Sequence, residues 1–171
     1  LCHIPSVVLE SDDSRFHCIM MDDVTAFEQV VNHLITQHHL TKILCLTGFK
    51  DNLQAEMRAQ GYQNAMQAHG LEIPESYIVY GDFWKQAALD LAQKIADGEV
   101  FKPEAVVCCC DTVAITLCNR LVELGFRVPE EIVIVGYDSG SEAAENVPSI
   151  TTYVRPIVDM GIRGVLKLHE L

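Results

Sequence analysis

Short apolar runs alternate along this chain with longer segments in which apolar residues recur every three or four positions. Four of the runs stop at a small residue: 43–47 at Gly48, 77–80 at Gly81, 105–109 at Cys110 and 132–135 at Gly136. Helical periodicity predicts helices over 22–39, 52–69, 84–97 and 112–124, between the runs. This alternation, with roughly 30 residues per unit, is typical of βαβ crossovers and predicts an α/β fold with a doubly wound parallel sheet.

The two ends of the chain have a different character. Residues 4–9 and 18–21 predict short strands without a helix of their own, residues 150–154 predict another strand, and Pro156 stands at the first position of a last helix. A complete sheet domain at 22–149 is therefore bracketed by two fragments, 1–21 and 150–171. Fragments from opposite ends of a chain can belong to one second domain.

Composition narrows the possible functions. The 171 residues include 24 Asp and Glu against 12 Lys and Arg, a formal net charge of −12, and 49% of the residues are hydrophobic. Such a composition is typical of a globular domain with a full core. Because an acidic surface repels phosphate backbones, this segment is not expected to bind nucleic acid itself. The apolar runs are too short to cross a membrane, and no secretory signal opens the chain.

The sequence offers few candidate residues for metal binding, redox chemistry or catalysis. Most of the seven cysteines lie within predicted strands or helices and form no Cys-x-x-Cys pair, which indicates small buried hydrophobes in a reducing, cytoplasmic compartment. His33, His38 and His39 lack a carboxylate or cysteine at metal-ligand spacing, so surface imidazoles without a metal are expected. Nucleophile-elbow, dinucleotide and Walker patterns are absent. We therefore predict no enzyme and no cofactor.

The four stops predict a ligand site. Because the carboxyl ends of parallel strands meet at one edge of a sheet, Gly48, Gly81, Cys110 and Gly136 are expected to share a single edge, here called the rim, where open α/β sheets hold ligands. Asp138 is the best candidate there, because a carboxylate just past an apolar strand and a glycine has little structural purpose.

Two other polar side chains follow these stops. Asp111 is a candidate for ligand binding, although a carboxylate at this position more often caps the helix that follows it. Tyr137 is expected to pack against the sheet with its hydroxyl at the rim.

Several short motifs follow one another along the chain in a recognisable order. They are Asn32-His33-Leu34-Ile35, Arg58-Ala59-Gln60-Gly61-Tyr62, Gly81-Asp82-Phe83, 103–107 with 111–114, 128–132 with 135–138, and 148–152 with Met160-Gly161. Their order and spacing resemble the lactose-repressor/galactose-repressor family, whose effector-binding core is a two-lobed, periplasmic-binding-protein-like fold. The resemblance implies that 22–149 is the C-terminal lobe, of type I, and that 1–21 and 150–171 are remnants of the N-terminal lobe.

The resemblance also implies ligand contacts. Arg58 would bond ligand hydroxyls, Phe83 would stack against a sugar ring, and Asp138 would accept hydroxyl protons. Cys110 stands where the family commonly has a hydrogen-bonding Asn or Asp, and Gln54 stands where a small hydroxyl residue is frequent. Both changes argue against a simple hexose, and they leave a larger, more apolar or phosphorylated effector, or a site that has decayed.

Structural roles remain open for the same residues. Arg58 could instead form a surface ion pair with Glu56 or with a neighbouring helix. Phe83 and the adjacent Trp84 could both belong to the core.

The function that the resemblance implies is that of an effector-binding domain of a transcriptional regulator. A small sugar-like molecule would bind between two lobes, and their closure would be transmitted to an output module. DNA would be bound only through a module absent from this chain, and the parent protein would be a cytoplasmic homodimer. The alternatives are a solute-binding protein of a transporter and a sensor joined to a different signalling output.

Overall fold

The computed structural model describes residues 4–171, which form two compact units. One unit is Asp23–Val154, and the other consists of the described residues up to Asp22 together with Arg155–Leu171. The predicted fragment 1–21 begins with residues 1–3, which lie outside the described residues. No helix in the described part of the chain is long and apolar enough to cross a membrane.

The elements alternate in the way that the apolar runs predict. In chain order they are β1 (Val7–Leu9), β2 (His17–Ile19), α1 (Asp23–His38), β3 (Ile43–Thr47), α2 (Leu53–Ala68), β4 (Ile78–Tyr80), α3 (Gln86–Ala96), β5 (Ala105–Cys108), α4 (Asp111–Glu123), β6 (Val133–Asp138), α5 (Ser141–Glu145), β7 (Thr151–Val154) and α6 (Ile157–His169).

The larger unit is built on a five-stranded sheet in the order β4-β3-β5-β6-β7. Every neighbouring pair of strands is parallel, so the predicted α/β fold with a parallel sheet is confirmed. Strand β5 lies in the middle and is completely buried, which explains why its sequence is an unbroken apolar run.

Alternate residues of the strands face two different helix layers. Leu44, Val106 and Ile134 belong to one apolar core with the buried faces of α3 and α4. Helices α1 and α2 pack against each other and contact β5 and β3 respectively. On their side the buried Tyr62 of α2 donates a hydrogen bond from its hydroxyl to the backbone oxygen of Ile43, at 2.8 Å. The sheet is thus held between layers that fix the positions of the strand ends.

The predicted boundaries are close to the observed ones, with local differences. Helix α2 begins after Asn52, whose side chain accepts the backbone N–H of Ala55 at 3.0 Å, and Gly70 follows its end with φ of 67°. Strand β4 is shorter than predicted because Tyr77 closes a 3₁₀ turn that begins at Glu75. The small polar run 139–148 contains the one-turn helix α5.

Strand β7 lies in the sheet of the larger unit. The sequence analysis assigned 150–171 as a whole to the fragments outside the complete domain. In the structure Thr151–Val154 pairs in parallel with the end of β6, from Val135 opposite Thr151 to Asp138 opposite Val154. Only the part from Arg155 onwards belongs to the smaller unit. Backbone pairing at the sheet edge therefore decides where this strand lies.

The smaller unit consists of the parallel pair β1 and β2 with helix α6. Gly164 of α6 allows a close approach to β1, since a Cβ atom at this position would lie 3.2 Å from Cδ2 of Leu9. An ion pair of 2.9 Å between Glu10 and Arg155 joins the two chain segments that make up this unit.

Glu104, immediately before β5, should make the free energy of unfolding depend on pH in the acidic range. Its carboxylate accepts the backbone N–H groups of Lys42 and Thr41, at 3.0 and 2.8 Å, and these bonds lower the pKa of Glu104 below its ordinary value of 4.5. The stability that the Glu104 carboxylate contributes is therefore complete above its unfolded-state pKa and is lost as the pH falls through its lower folded-state pKa.

We expect Glu104→Gln to lower the free energy of unfolding at neutral pH, because it removes the charged acceptor. Urea denaturation from pH 7 to pH 3 would measure the difference between the two proteins. This difference should shrink as the pH falls below about 4.5. A difference that stays constant down to pH 3 would contradict the assigned role of the carboxylate.

Candidate functional site

The parallel register brings the ends of three strands side by side at the rim. Leu46 of β3 pairs with Cys108 of β5, and Val107 pairs with Val135 of β6. The residues that follow these pairs are therefore neighbours, and they include most of the predicted site.

Arg58 is buried and engaged in the larger unit. Its side chain is 4% exposed, and its Nε and Nη2 atoms each lie 3.2 Å from Oδ2 of Asp23, at the start of α1. Nη1 donates a hydrogen bond of 2.7 Å to the backbone oxygen of Cys109 at the end of β5. The guanidinium is thereby fixed between α1 and the central strand, with N–H groups beyond these contacts to offer a ligand.

Tyr137 belongs to the same buried network. Its hydroxyl donates to Oδ1 of Asp23 at 2.5 Å, and the guanidinium carbon of Arg58 lies 4.6 Å from the centre of its ring. The ring stacks on Tyr153 with centres 5.3 Å apart and lies 5.0 Å from Phe27. The tyrosine is fully buried, so it contributes to the site by positioning Arg58 and Asp23.

Phe83 lies over the end of β3. A Cβ atom at Gly48 would come within 2.2 Å of the ring, so the absence of a side chain at Gly48 lets the ring rest on the backbone. The ring centre is 5.9 Å from the guanidinium carbon of Arg58, and the ring is only partly buried. The adjacent Trp84 is 68% exposed and therefore lies outside the core.

Cys110 is the residue immediately before α4 and is 8% exposed. Its sulfur lies 3.5 Å from the backbone oxygen of Phe83. A hydrogen bond from the Cys109 thiol lowers the pKa of Cys110, burial opposes this shift, and the backbone N–H of Val113 adds to it. The same hydrogen bond, together with burial, raises the pKa of Cys109. Cys110 therefore places a thiol close to Phe83.

Asp111 is buried and is held by two donors from outside its own helix. Its Oδ2 accepts the backbone N–H of Gly140 at 2.7 Å, and its Oδ1 accepts the hydroxyl of Thr152 at 2.6 Å. Gly136 makes this geometry possible, since a Cβ atom there would lie 2.2 Å from Oδ1. The carboxylate therefore ties α4 to β7 and to the loop after β6, which differs from the helix cap that the sequence favoured.

Asp138, the last residue of β6, is partly buried and has φ of 127°. A residue other than glycine is rarely found with such a positive φ, and strained backbone of this kind concentrates at functional sites. Its charge is close enough to Cys110 to oppose the lowering of the pKa of that thiol. Gln54, in the first turn of α2, is also partly buried.

The structure thus brings four of the predicted residues to the rim: Arg58, Phe83, Cys110 and Asp138. Two residues of the network were not singled out from the sequence as part of the site. Asp23 was noted only as a helix start, and Thr152 only as part of a strand. Both are recognisable once their partners 35 and 41 residues away are known.

The arrangement can bind and orient a polar molecule. It offers an aromatic face, a guanidinium and a carboxylate, which together suit a ligand that carries both hydroxyl groups and an apolar face. Among the described residues, no group of three or more His, Cys, Asp and Glu side chains could hold a metal ion.

A parallel α/β sheet with polar groups at its carboxyl edge has the arrangement with which open α/β domains hold ligands. The family model described as "Periplasmic binding protein-like domain" matches residues 31–171. The chain therefore belongs to this family, and the relatives that it resembles are transcriptional regulators of the LacI type.

Two curated relatives illustrate the similarity. The HTH-type transcriptional repressor PurR of Vibrio vulnificus (strain CMCP6) is 37% identical over 124 residues, which are 72% of this chain and 36% of the relative. The ribose operon repressor of Escherichia coli (strain K12) is 29% identical over 160 residues, which are 92% of this chain and 48% of the relative. The chain thus spans about half the length, or less, of these curated relatives.

Solved structures agree with this assignment. A sugar-binding transcriptional regulator of the LacI family from Escherichia coli, complexed with phosphate, matches 96% of this chain and 59% of its own length, with a TM-score of 0.87 and 26% identity. The transcriptional regulator CelR in complex with cellobiose matches 90% of this chain and 46% of its own length, with a TM-score of 0.82 and 27% identity.

Proposed function

We propose that this chain is the effector-sensing domain of a transcriptional regulator and that a small, sugar-like polar molecule binds at the rim. The observation that carries the proposal is the meeting of Arg58, Phe83 and Asp138 at this edge of the sheet. Membership of the family supports the same reading, because the two curated relatives named above are repressors and the two solved structures are transcriptional regulators in complex with phosphate or cellobiose.

Each of the three side chains has a distinct task. The ring of Phe83 packs against the C–H face of the ligand, and the carboxylate of Asp138 accepts hydrogen bonds from the ligand's hydroxyl groups. Arg58 donates the N–H groups that its contacts with Asp23 and Cys109 do not use. Because the guanidinium is already ordered, little side-chain entropy is lost when the ligand binds.

Cys110 and Gln54 shape the choice of ligand. A sulfur accepts and donates hydrogen bonds weakly, so Cys110 favours a more polarisable or apolar part of the effector than an amide at this place would. Gln54 is longer than the small hydroxyl residues frequent in the family and offers an amide to a more distant group. The effector is therefore a larger, more apolar or phosphorylated molecule in place of a simple hexose.

The rest of the regulator is part of the proposal. Residues 23–154 correspond to the C-terminal lobe, and the residues up to 22 together with 155–171 correspond to the N-terminal lobe. Closure of the lobes on the ligand is passed to an output module. DNA is bound through that module, because the net charge of −12 disfavours binding by the present chain. The regulator is a cytoplasmic homodimer without catalytic activity. The buried, unpaired cysteines in the described residues support a reducing compartment.

Asp138→Asn tests the site directly. Asparagine has nearly the same size as aspartate and tolerates positive φ, so the variant should keep the fold while losing the charge. Thermal unfolding of the full-length protein would be measured with cellobiose, adenosine, a phosphorylated sugar or an amino acid. We expect at least one of these to raise the melting temperature of the unaltered protein and to raise that of the variant far less.

Asp97→Asn is the matched control, because Asp97 is exposed at the end of α3, away from the rim. It should keep the full ligand-induced rise. A rise that is equal in Asp138→Asn and in the unaltered protein would refute the site. A compound that is turned over when it binds would favour an enzyme instead.

A further inference from the structure

Two histidines of α1 point their outer ring nitrogens at each other. The Nε2 atoms of His33 and His38 are 3.3 Å apart, the ring centres are 5.0 Å apart, and the ring planes are inclined by 74°. Both side chains are exposed, and both line a cavity of about 580 Å³ between α1 and the β6–β7 edge. The proposed effector site does not involve this pair.

The nitrogen separation fits two ligands of one metal ion. With Zn–N distances of 2.0–2.1 Å and a tetrahedral angle, two bound nitrogens lie about 3.3–3.4 Å apart. A direct hydrogen bond between protein groups is usually shorter, with donor and acceptor about 2.9–3.0 Å apart. The observed 3.3 Å is therefore the value expected for a shared ion.

The ring centres lead to the same conclusion. A straight N–H···N bond of this length would place them about 5.6 Å apart, because each centre lies on the far side of its nitrogen. Two rings aimed at one tetrahedral ion would place them about 5.2 Å apart. The observed 5.0 Å is closer to the second value, so the positions of the two rings are compatible with one ion held between the Nε2 atoms.

The electrostatic surroundings favour a cation. His38 is the last residue of α1, where the helix dipole contributes a partial negative charge. The chain carries a net charge of −12, which raises the local concentration of cations. Neutral imidazole is a good ligand for zinc and copper.

We propose that His33 and His38 form a binding site for one divalent late transition-metal ion such as Zn²⁺, with both Nε2 atoms as ligands. Within residues 4–171 no third His, Cys, Asp or Glu completes the set, so water occupies the other positions. Such a site binds more weakly than a structural site with four protein ligands, and it retains open positions for an exogenous ligand. The sequence analysis expected no metal here because spacing alone did not reveal the convergence of the two rings.

Zinc titration followed by NMR of the histidine rings tests the site. The full-length protein would carry no affinity tag, and His3 would be replaced by glutamine so that it cannot contribute. We expect the ring nitrogens of His33 and His38 to shift together and to reach saturation near one equivalent of Zn²⁺. The remaining histidines, His17, His39, His69 and His169, should shift much less at the same concentration.

Three variants separate this site from general surface binding. His33→Gln and His38→Gln should each weaken zinc binding at the remaining partner by about tenfold or more, since one ligand is lost. His169→Gln is the control, because His169 is the exposed last residue of α6 and belongs to the other unit, and it should leave the titration unchanged. Equal shifts of all exposed histidines, or unchanged binding after His33→Gln, would overturn the proposal.

Discussion

Replacing Asp23 with alanine is expected to lower the free energy of unfolding by about 3–5 kcal/mol, the usual cost of breaking a buried ion pair from one side. Asp23 and Arg58 have side chains that are 1% and 5% exposed, so the charge of Arg58 would stay buried without its carboxylate partner after the change. The hydroxyl of Tyr137 would also lose its acceptor at 2.5 Å. The guanidinium would then remain buried with only the backbone oxygen of Cys109 as a partner.

Urea denaturation would measure this loss. The control is Asp13→Ala, since the ion pair of Asp13 with Arg15 lies at the surface, is screened by water and should contribute far less to stability. Asp23→Asn should cost less than Asp23→Ala, because the amide oxygen can still accept one of the hydrogen bonds. If Asp23→Ala and Asp13→Ala had equal effects, Asp23 would not be the partner that holds Arg58 in place.

The Asp23→Asn variant also tests the proposed function. In our proposal Arg58 binds the effector with a guanidinium that Asp23 has already ordered. Asp23→Asn should therefore weaken effector binding even where the protein remains folded, because Arg58 would lose part of its anchoring. The stability of the buried ion pair and the affinity of the rim for the effector should therefore change together.

Much of the fold could be predicted because its signals are local. Strands β3, β4, β5 and β6 come from short apolar runs that stop at a small residue, and Gly70, Gly98 and Gly125 follow α2, α3 and α4 with positive φ. These signals depend only on neighbouring residues. The common rim then follows from the rule that parallel strands place their carboxyl ends together.

The partners of the charged residues could not be predicted in the same way. The sequence suggested Glu56 or a neighbouring helix for Arg58, and the contact is with the helix, at Asp23, in a buried position. Glu56 instead accepts a hydrogen bond from the hydroxyl of Tyr80, at 2.8 Å. Such pairings depend on how α1 and α2 pack, which no local pattern specifies.

Asp111→Ala should lower the free energy of unfolding by about 3 kcal/mol, because two hydrogen bonds to a buried carboxylate are lost at once. The backbone N–H of Gly140 and the hydroxyl of Thr152 would both lose their acceptor. Thr152→Val removes one of these donors with little change in shape. A double-mutant cycle between Asp111 and Thr152, followed by urea denaturation, would measure their coupling.

The cycle also decides what Asp111 does at the rim. If its carboxylate holds β7 and the loop after β6 in place, the coupling with Thr152 should exceed about 1 kcal/mol. Asp111→Asn should then retain most of the effector affinity at temperatures well below unfolding, whereas Asp138→Asn should lose it. A negligible coupling together with a complete loss of binding in Asp111→Asn would instead make Asp111 a ligand contact. The Asp111 carboxylate occupies the space that a side chain at position 136 would need. We therefore expect Asp111 to hold the structure together and not to contact the ligand.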